Sequence, residues 1–290
     1  MKKLVIFGVG LIGGSVALAL KKANGINAAP HIVGIGRTSE SLQAALDLGV
    51  IDTATSDIAD ALKSADMVLI AAPVAQTPAI LRSIKPHLSA FTVITDAGST
   101  KGDVLQCAKE ILGNQFNQFI GGHPIAGAEK SGVTAAKADL YLNKNVVLTP
   151  TRETNQHTIV STQALWQACG ANISEMSAET HDSIFAAVSH LPHLLAFALV
   201  DEIASRPNAA QLFSFAASGF RDFTRIAGSH PEMWRDISLA NRAALLGEIN
   251  AYQDELSKLK QLLTNEDGAG LQALFERASV ARNAWAESKK

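Results

Sequence analysis

Apolar and polar positions change their rhythm midway along the chain. Through the first half, short β-branched runs recur over residues 3–7, 31–35, 67–71, 92–95, 118–121 and 145–148, the continuous apolar signature of strands buried on both faces. Between them lie stretches of helical spacing at 13–23, 39–48, 77–84 and 102–112. This alternation predicts a parallel sheet covered on both faces by helices. A last weak strand signal falls at 171–174, and from Ala178 onward Ala, Leu and Phe recur at helical spacing instead. The expected organisation is therefore α/β, with a doubly wound parallel sheet over 1–176 and an all-helical domain over 177–290. Within the latter, Leu245, Leu246, Ile249, Tyr252, Leu256, Leu259, Leu262 and Leu263 mark an apolar stripe on one long helix, suited either to the domain's own core or to the interface of a homodimer.

Bulk properties narrow the picture. A chain of 290 residues exceeds what one core usually fills, so two domains are expected. Hydrophobic residues make up 47% and charged residues 18%, an ordinary soluble composition that argues against disorder. The formal charge of −2 is spread without Lys/Arg clusters, so no nucleic-acid partner is expected. Lys2 and Lys3 ahead of an apolar run imitate a signal peptide, but Gly8, Gly10, Gly13 and Gly14 interrupt that run. No uninterrupted apolar stretch approaches the ~18–20 residues of a membrane span, and no membrane partner is expected. Cys107 and Cys169 form no metal-ligand spacing and fit a reducing cytoplasm.

Gly8-Val9-Gly10-Leu11-Ile12-Gly13 follows the first strand and opens a helix, which is G-x-G-x-x-G in the Rossmann setting where its glycines permit a tight turn and close approach to a pyrophosphate. The second strand runs into Gly36-Arg37-Thr38-Ser39. An NAD-preferring site usually carries an acid there, which would repel a 2′-phosphate. Here a permanent guanidinium stands beside two hydroxyls, so NADP is expected over NAD. Ala72-Pro73 ends the strand begun at Met67 and should pass beside the cofactor.

Ligands in such sheets bind outside the carboxyl ends of the strands. Two segments there each place small residues around one reactive side chain, Ser99 or His123: Thr95-Asp96-Ala97-Gly98-Ser99-Thr100-Lys101 and Gly121-Gly122-His123-Pro124-Ile125-Ala126-Gly127-Ala128-Glu129. His190 and His193 lie three apart around Pro192, near the start of a predicted helix, so both can face one cleft. No third ligand lies at a suitable spacing, and no metal is expected.

With these blocks in view, the sequence resembles the prephenate and arogenate dehydrogenase family. The resemblance rests on the glycine motif, Asp96-Ala97-Gly98-Ser99, the segment from His123 to Glu129, Ser189-His190-Leu191-Pro192-His193, and Ser218-Gly219-Phe220-Arg221-Asp222-Phe223-Thr224-Arg225. It implies an enzyme that oxidises and decarboxylates a cyclohexadienyl acid toward tyrosine, with His123 as base and Ser99 holding the reacting hydroxyl. It further implies Arg225 on the ring carboxylate, with Arg221 as rival four residues earlier, His193 and His190 near the substrate side chain, and Glu129 ordering the pocket. A stand-alone enzyme without regulatory or mutase segments is expected. The competing readings are a hydroxyacid dehydrogenase of the 6-phosphogluconate type and a non-catalytic NADPH sensor.

Overall fold

The computed structural model describes every residue except Ile26, Asn27, Glu129, Lys289 and Lys290. Its strands are β1 (Lys3–Phe7), β2 (His31–Ile35), β3 (Thr53–Ala54), β4 (Met67–Ile70), β5 (Val93–Asp96), β6 (Phe119–Pro124), β7 (Asn145–Thr149) and β8 (Asn172–Glu175). They form one sheet in the order β3-β2-β1-β4-β5-β6-β7-β8. The first six follow the doubly wound pattern, whose order reverses between β1 and β4. Side chains alternate between faces with period two. Leu4, Ile6, Met67 and Leu69 join the core on one side, and Val5, Phe7, Val68 and Ile70 the core on the other. Each such side chain contributes roughly 1.5–3 kcal/mol through burial, which is why these runs are apolar throughout.

One expectation is corrected: the sheet is not wholly parallel, because β7 runs antiparallel to β6. Among the described residues, the connection between them holds a short 3-10 turn, Val133–Ala135, and no α-helix. Without a crossover helix the chain returns directly alongside the strand it left. β8 then pairs parallel to β7 through the helix Gln156–Ala168.

Every element from Ala178 onward is helical among the described residues. The segments Ala178–Phe185 and Leu191–Ala204 are joined by a π-turn, Ala186–His190, into one helix of 27 residues. Pro192 falls directly after the π-turn, in the first turn of the resumed α-segment, and the helix continues through it. By length and mean hydropathy this helix could cross a membrane, although Ser189, His190 and His193 interrupt its apolar run. By packing, Met1–Arg242 forms one compact unit and Ala243–Lys290 a second, a division later than the change of element type near 176. The helices between belong with the first unit: Ala178–Phe185 packs on Gly102–Leu112, and Pro231–Ala240 on the turn Val74–Gln76.

Candidate active site

The parallel strands bring their carboxyl ends to one edge, and the motif residues collect there. Gly8 has φ +91°, and a Cβ on it would lie 2.7 Å from the Ala71 carbonyl oxygen. On Gly13 a Cβ would lie 2.4 Å from the Gly8 oxygen, whereas on Gly10 it would meet nothing within 4 Å. So the loop is tight toward the protein and open over Gly10, where the helix Leu11–Asn24 begins with no side-chain cap and no acid in its first turn. Such an end offers free N–H donors and positive potential; the residues present fit a dinucleotide pyrophosphate. Fully buried Tyr141 braces the loop by donating to the Ile12 carbonyl at 2.6 Å, and the Lys137 amide donates to Ser15 Oγ at 2.9 Å. Half-buried Ala72 and Pro73 follow β4 beside it.

Arg37 and Thr38 are exposed past the end of β2. Thr38 also caps the helix Ser39–Asp47, accepting from the Ser41 amide at 3.3 Å and donating to Ser41 Oγ at 2.8 Å. Of the cradle expected for a 2′-phosphate, Arg37 remains the charged member.

Ser99 follows β5, and half-buried His123 lies near the end of the adjoining β6. A buried carboxylate ties the two segments together. Asp96 accepts from the amides of Gly98 (2.8 Å) and Gly122 (3.0 Å), and forms an ion pair with Lys101, whose ammonium also donates to the Gly122 carbonyl at 2.8 Å. His123 Nδ1 shares a hydrogen bond with His181 Nε2 (2.8 Å), and His181 Nδ1 meets Asp182 Oδ1 (2.7 Å). The Asn241 amide reaches both the Asp182 carbonyl (2.8 Å) and His190 Nδ1 (3.1 Å). His193 meets the Ser189 carbonyl at 2.8 Å and stacks on Trp234, ring centroids 3.6 Å apart. The structure thus gathers His123, His190 and His193 as expected, and adds His181, Asp182, Asn241 and Trp234.

Burial lowers all four imidazoles, and neighbouring imidazoles add to this at His123 and His190. Burial, with His181, Lys101 and His190 nearby, holds His123 well below the usual histidine range. Burial lowers His181 and takes His190 to about 4; burial and the Arg225 charge lower His193. Burial works against ionisation of Asp182, yet hydrogen bonds from His181, Gly102 and Lys101 prevail and hold it below the usual carboxylate range. The cluster is a set of imidazoles beside one carboxylate, uncharged near neutrality and so with ring lone pairs available.

Of the two rival arginines, Arg225 is the one whose charge acts on His193. Arg221 lies in the helix Ser218–Thr224 and Arg225 begins the 3-10 turn Arg225–Gly228; both elements pack on the helix carrying His193. Glu129 lies outside the described residues.

The comparisons agree with this geometry. A profile described as prephenate dehydrogenase, nucleotide-binding domain, matches residues 16–175, and one described as prephenate dehydrogenase, dimerization domain, matches residues 177–277. Prephenate dehydrogenase of Bacillus subtilis is 39% identical over 97% of this chain and 75% of its own length. Cyclohexadienyl dehydrogenase of Zymomonas mobilis is 35% identical over 97% and 95%. A crystal structure of prephenate dehydrogenase from A. aeolicus, in complex with hydroxyphenyl propionate and NAD+, superimposes with a TM-score of 0.91 at 39% identity, covering 97% of each chain. With an open glycine cradle beside a histidine-rich pocket and both halves matched in order, the chain belongs to the prephenate dehydrogenase family of nicotinamide-dependent oxidoreductases.

Proposed function

We propose that this chain oxidatively decarboxylates prephenate, a cyclohexadiene bearing a C4 hydroxyl and a C1 carboxylate, in the synthesis of tyrosine. The observation that carries this reading is a neutral His123 at the end of β6, tied through Asp96 to the Ser99 segment of β5, at the sheet edge that holds the glycine cradle. The names of the relatives support it.

In this reading the nicotinamide, when bound, accepts the C4 hydride. His123 takes the C4 hydroxyl proton as carbonyl character develops, and Ser99 holds the same hydroxyl. Arg225 pairs with the ring carboxylate until it leaves as CO2. His193, stiffened by Trp234, meets the side-chain end, while His190, held by Asn241, lines the wall behind it and Glu129 orders the pocket. The ring becomes aromatic as both bonds break, so the protein supplies chiefly orientation and a proton acceptor.

NADP is the proposed cofactor because Arg37 stands where an acid would repel the 2′-phosphate. The domain boundary is placed at 176/177, after β8. A homodimer through the helical domain follows from the exposure of Leu246, Leu256, Leu263, Phe275, Val280 and Trp285, together with the description of the profile that matches there. Two free cysteines fit a cytoplasmic location.

Steady-state kinetics with prephenate and arogenate, each with NADP and NAD, test the reading. Turnover of prephenate is expected, and His123→Asn should lower kcat on the order of 10²–10⁴-fold with little change in dinucleotide affinity. Absence of turnover on both acids, or a fully active His123→Asn enzyme, would sink it.

A further inference from the structure

His123, His181 and Asp182 form a chain in which each link constrains the next. A neutral imidazole carries one ring proton, so each histidine donates through one nitrogen and accepts through the other. Asp182 decides which. Its oxygens accept from the backbone amides of Lys101 (2.9 Å) and Gly102 (2.8 Å), at the start of the helix Gly102–Leu112. An ionised carboxylate only accepts, so His181 donates to it through Nδ1 and presents Nε2 as a lone pair. His123 must then donate its own Nδ1–H to that lone pair, 2.8 Å away. Its Nε2 is left unprotonated. An isolated histidine side chain favours the opposite tautomer, with the proton on Nε2.

We propose that His181 is a positioning residue, locked by Asp182, that holds His123 in the tautomer with Nε2 open to the substrate hydroxyl and shares the charge that forms there. The inference rests on His123 being the base. When the hydroxyl O–H bond breaks, its proton bonds to His123 Nε2. The resulting imidazolium keeps its Nδ1–H directed at His181 Nε2, with the Asp182 carboxylate beyond, while the C4 hydride leaves for the nicotinamide.

The surroundings fit the role. His181 is fully buried, and Phe185, one turn along the same helix, covers both imidazoles with ring centroids 4.8 Å from His123 and 4.5 Å from His181. The charged and titratable groups around the pair are Lys101 and His190 beside His123, and Asp182, Asp96 and Lys101 beside His181. The amides that anchor Asp182 come directly after Ser99 and Thr100, so one carboxylate sets both the base and the loop proposed to hold the hydroxyl.

The test is 15N NMR of the full chain labelled at histidine, read with kinetics of His181→Leu and His181→Gln. In the unmodified protein His123 should show a protonated Nδ1 and a bare Nε2; a proton on Nε2 overturns the proposal without any variant. His181→Leu removes the acceptor at similar volume. It should shift His123 toward the Nε2–H tautomer and lower kcat about 100-fold, near the low end for losing a positioned base, with KM values changed by less than about threefold. His181→Gln keeps an amide oxygen for the Nδ1–H and should recover most of that loss. An unchanged tautomer in His181→Leu, or a glutamine variant no better than leucine, rejects the role. If His181→Leu does not fold, the unmodified tautomer and the glutamine variant decide. Because the tautomer is read without turnover, failure of the lock is distinct from failure to oxidise prephenate.

Discussion

Lys101 and Asp96 face each other in an ion pair from which water is shut out: the lysine is fully buried and the aspartate 1% exposed. Each charge also holds backbone, Asp96 the amides of Gly98 and Gly122 and Lys101 the Gly122 carbonyl. Removing one partner would strand the other charge in the interior, at about 3–5 kcal/mol. Lys101→Met should therefore lower the melting temperature by roughly 6–20 °C, at ~2–4 °C per kcal/mol for a domain of this size. Adding Asp96→Asn should restore part of it. If the double variant melts no higher than the single, lost packing of the lysine stem, not the stranded carboxylate, is responsible.

Arg225→Ala should raise the KM for prephenate more than it lowers kcat, since a charge-assisted pair contributes roughly 1.5–3 kcal/mol to substrate binding. Arg221→Ala serves as the comparison, on the neighbouring helix. Steady-state kinetics of both variants decide; a larger KM effect at Arg221 reverses the assignment.

Arg37→Ala should cost NADP affinity by roughly 10- to 100-fold, the equivalent of about 1.5–3 kcal/mol, while leaving NAD nearly untouched. Equilibrium titration with each dinucleotide measures this directly. Equal weakening of both would mean that Arg37 packs on the adenine they share.

His190 links stability to acidity. Its folded pKa of about 4 lies below the unfolded value near ~6.5, so the unfolded chain takes up the proton first. The stability from keeping it neutral is whole above about pH 6.5 and drains away as pH falls to about 4, some 3 kcal/mol over that window. The groups facing it are Asp182, His181 and His193. Urea midpoints measured from pH 7 to 4.5 should fall more gently for His190→Gln than for the unmodified chain; parallel curves would contradict this.

How much of this was legible depended on the distance along the chain over which each feature is written. The glycine cradle and the helices Thr77–Ile84 and Gly102–Leu112 are local patterns, in which neighbouring residues specify the turn, the period and the stop. His181 was not legible: its partner lies 58 positions away, and a histidine early in a helix reads as solvent-facing. Lys101 was hidden for a related reason, because a lysine before a helix is ordinarily exposed and only the fold brings Asp96 and Gly122 around it. The direction of β7 depends on the missing crossover helix, a property of the connection and not of the strand. Arg221 and Arg225 are spaced for one helix face, and the end of the helix at Thr224, which leaves Arg225 to begin a 3-10 turn, was not written in that spacing.

The π-turn at Ala186–His190 makes the pocket depend on how residues are counted as well as on their kinds. Along a regular α-helix each residue advances about 100°, so positions 181 and 190, nine apart, would point to opposite sides. A π-turn absorbs one extra residue within its wider loop; the remaining eight steps, at about 100° each, leave the two histidines only about 80° apart. That lets His181 meet Asp182 while His190 meets the Asn241 amide, which also holds the Asp182 carbonyl. The segment therefore answers unequally to changes of length. Losing one residue between Ala186 and Ser189 would let the turn close into ordinary α-helix with the two imidazoles still on neighbouring sides. Gaining one there would swing His190 through about another 100° unless a second wide turn took it up. The bulge is thus a stored residue, and it leaves the histidine cluster more tolerant of a deletion than of an insertion.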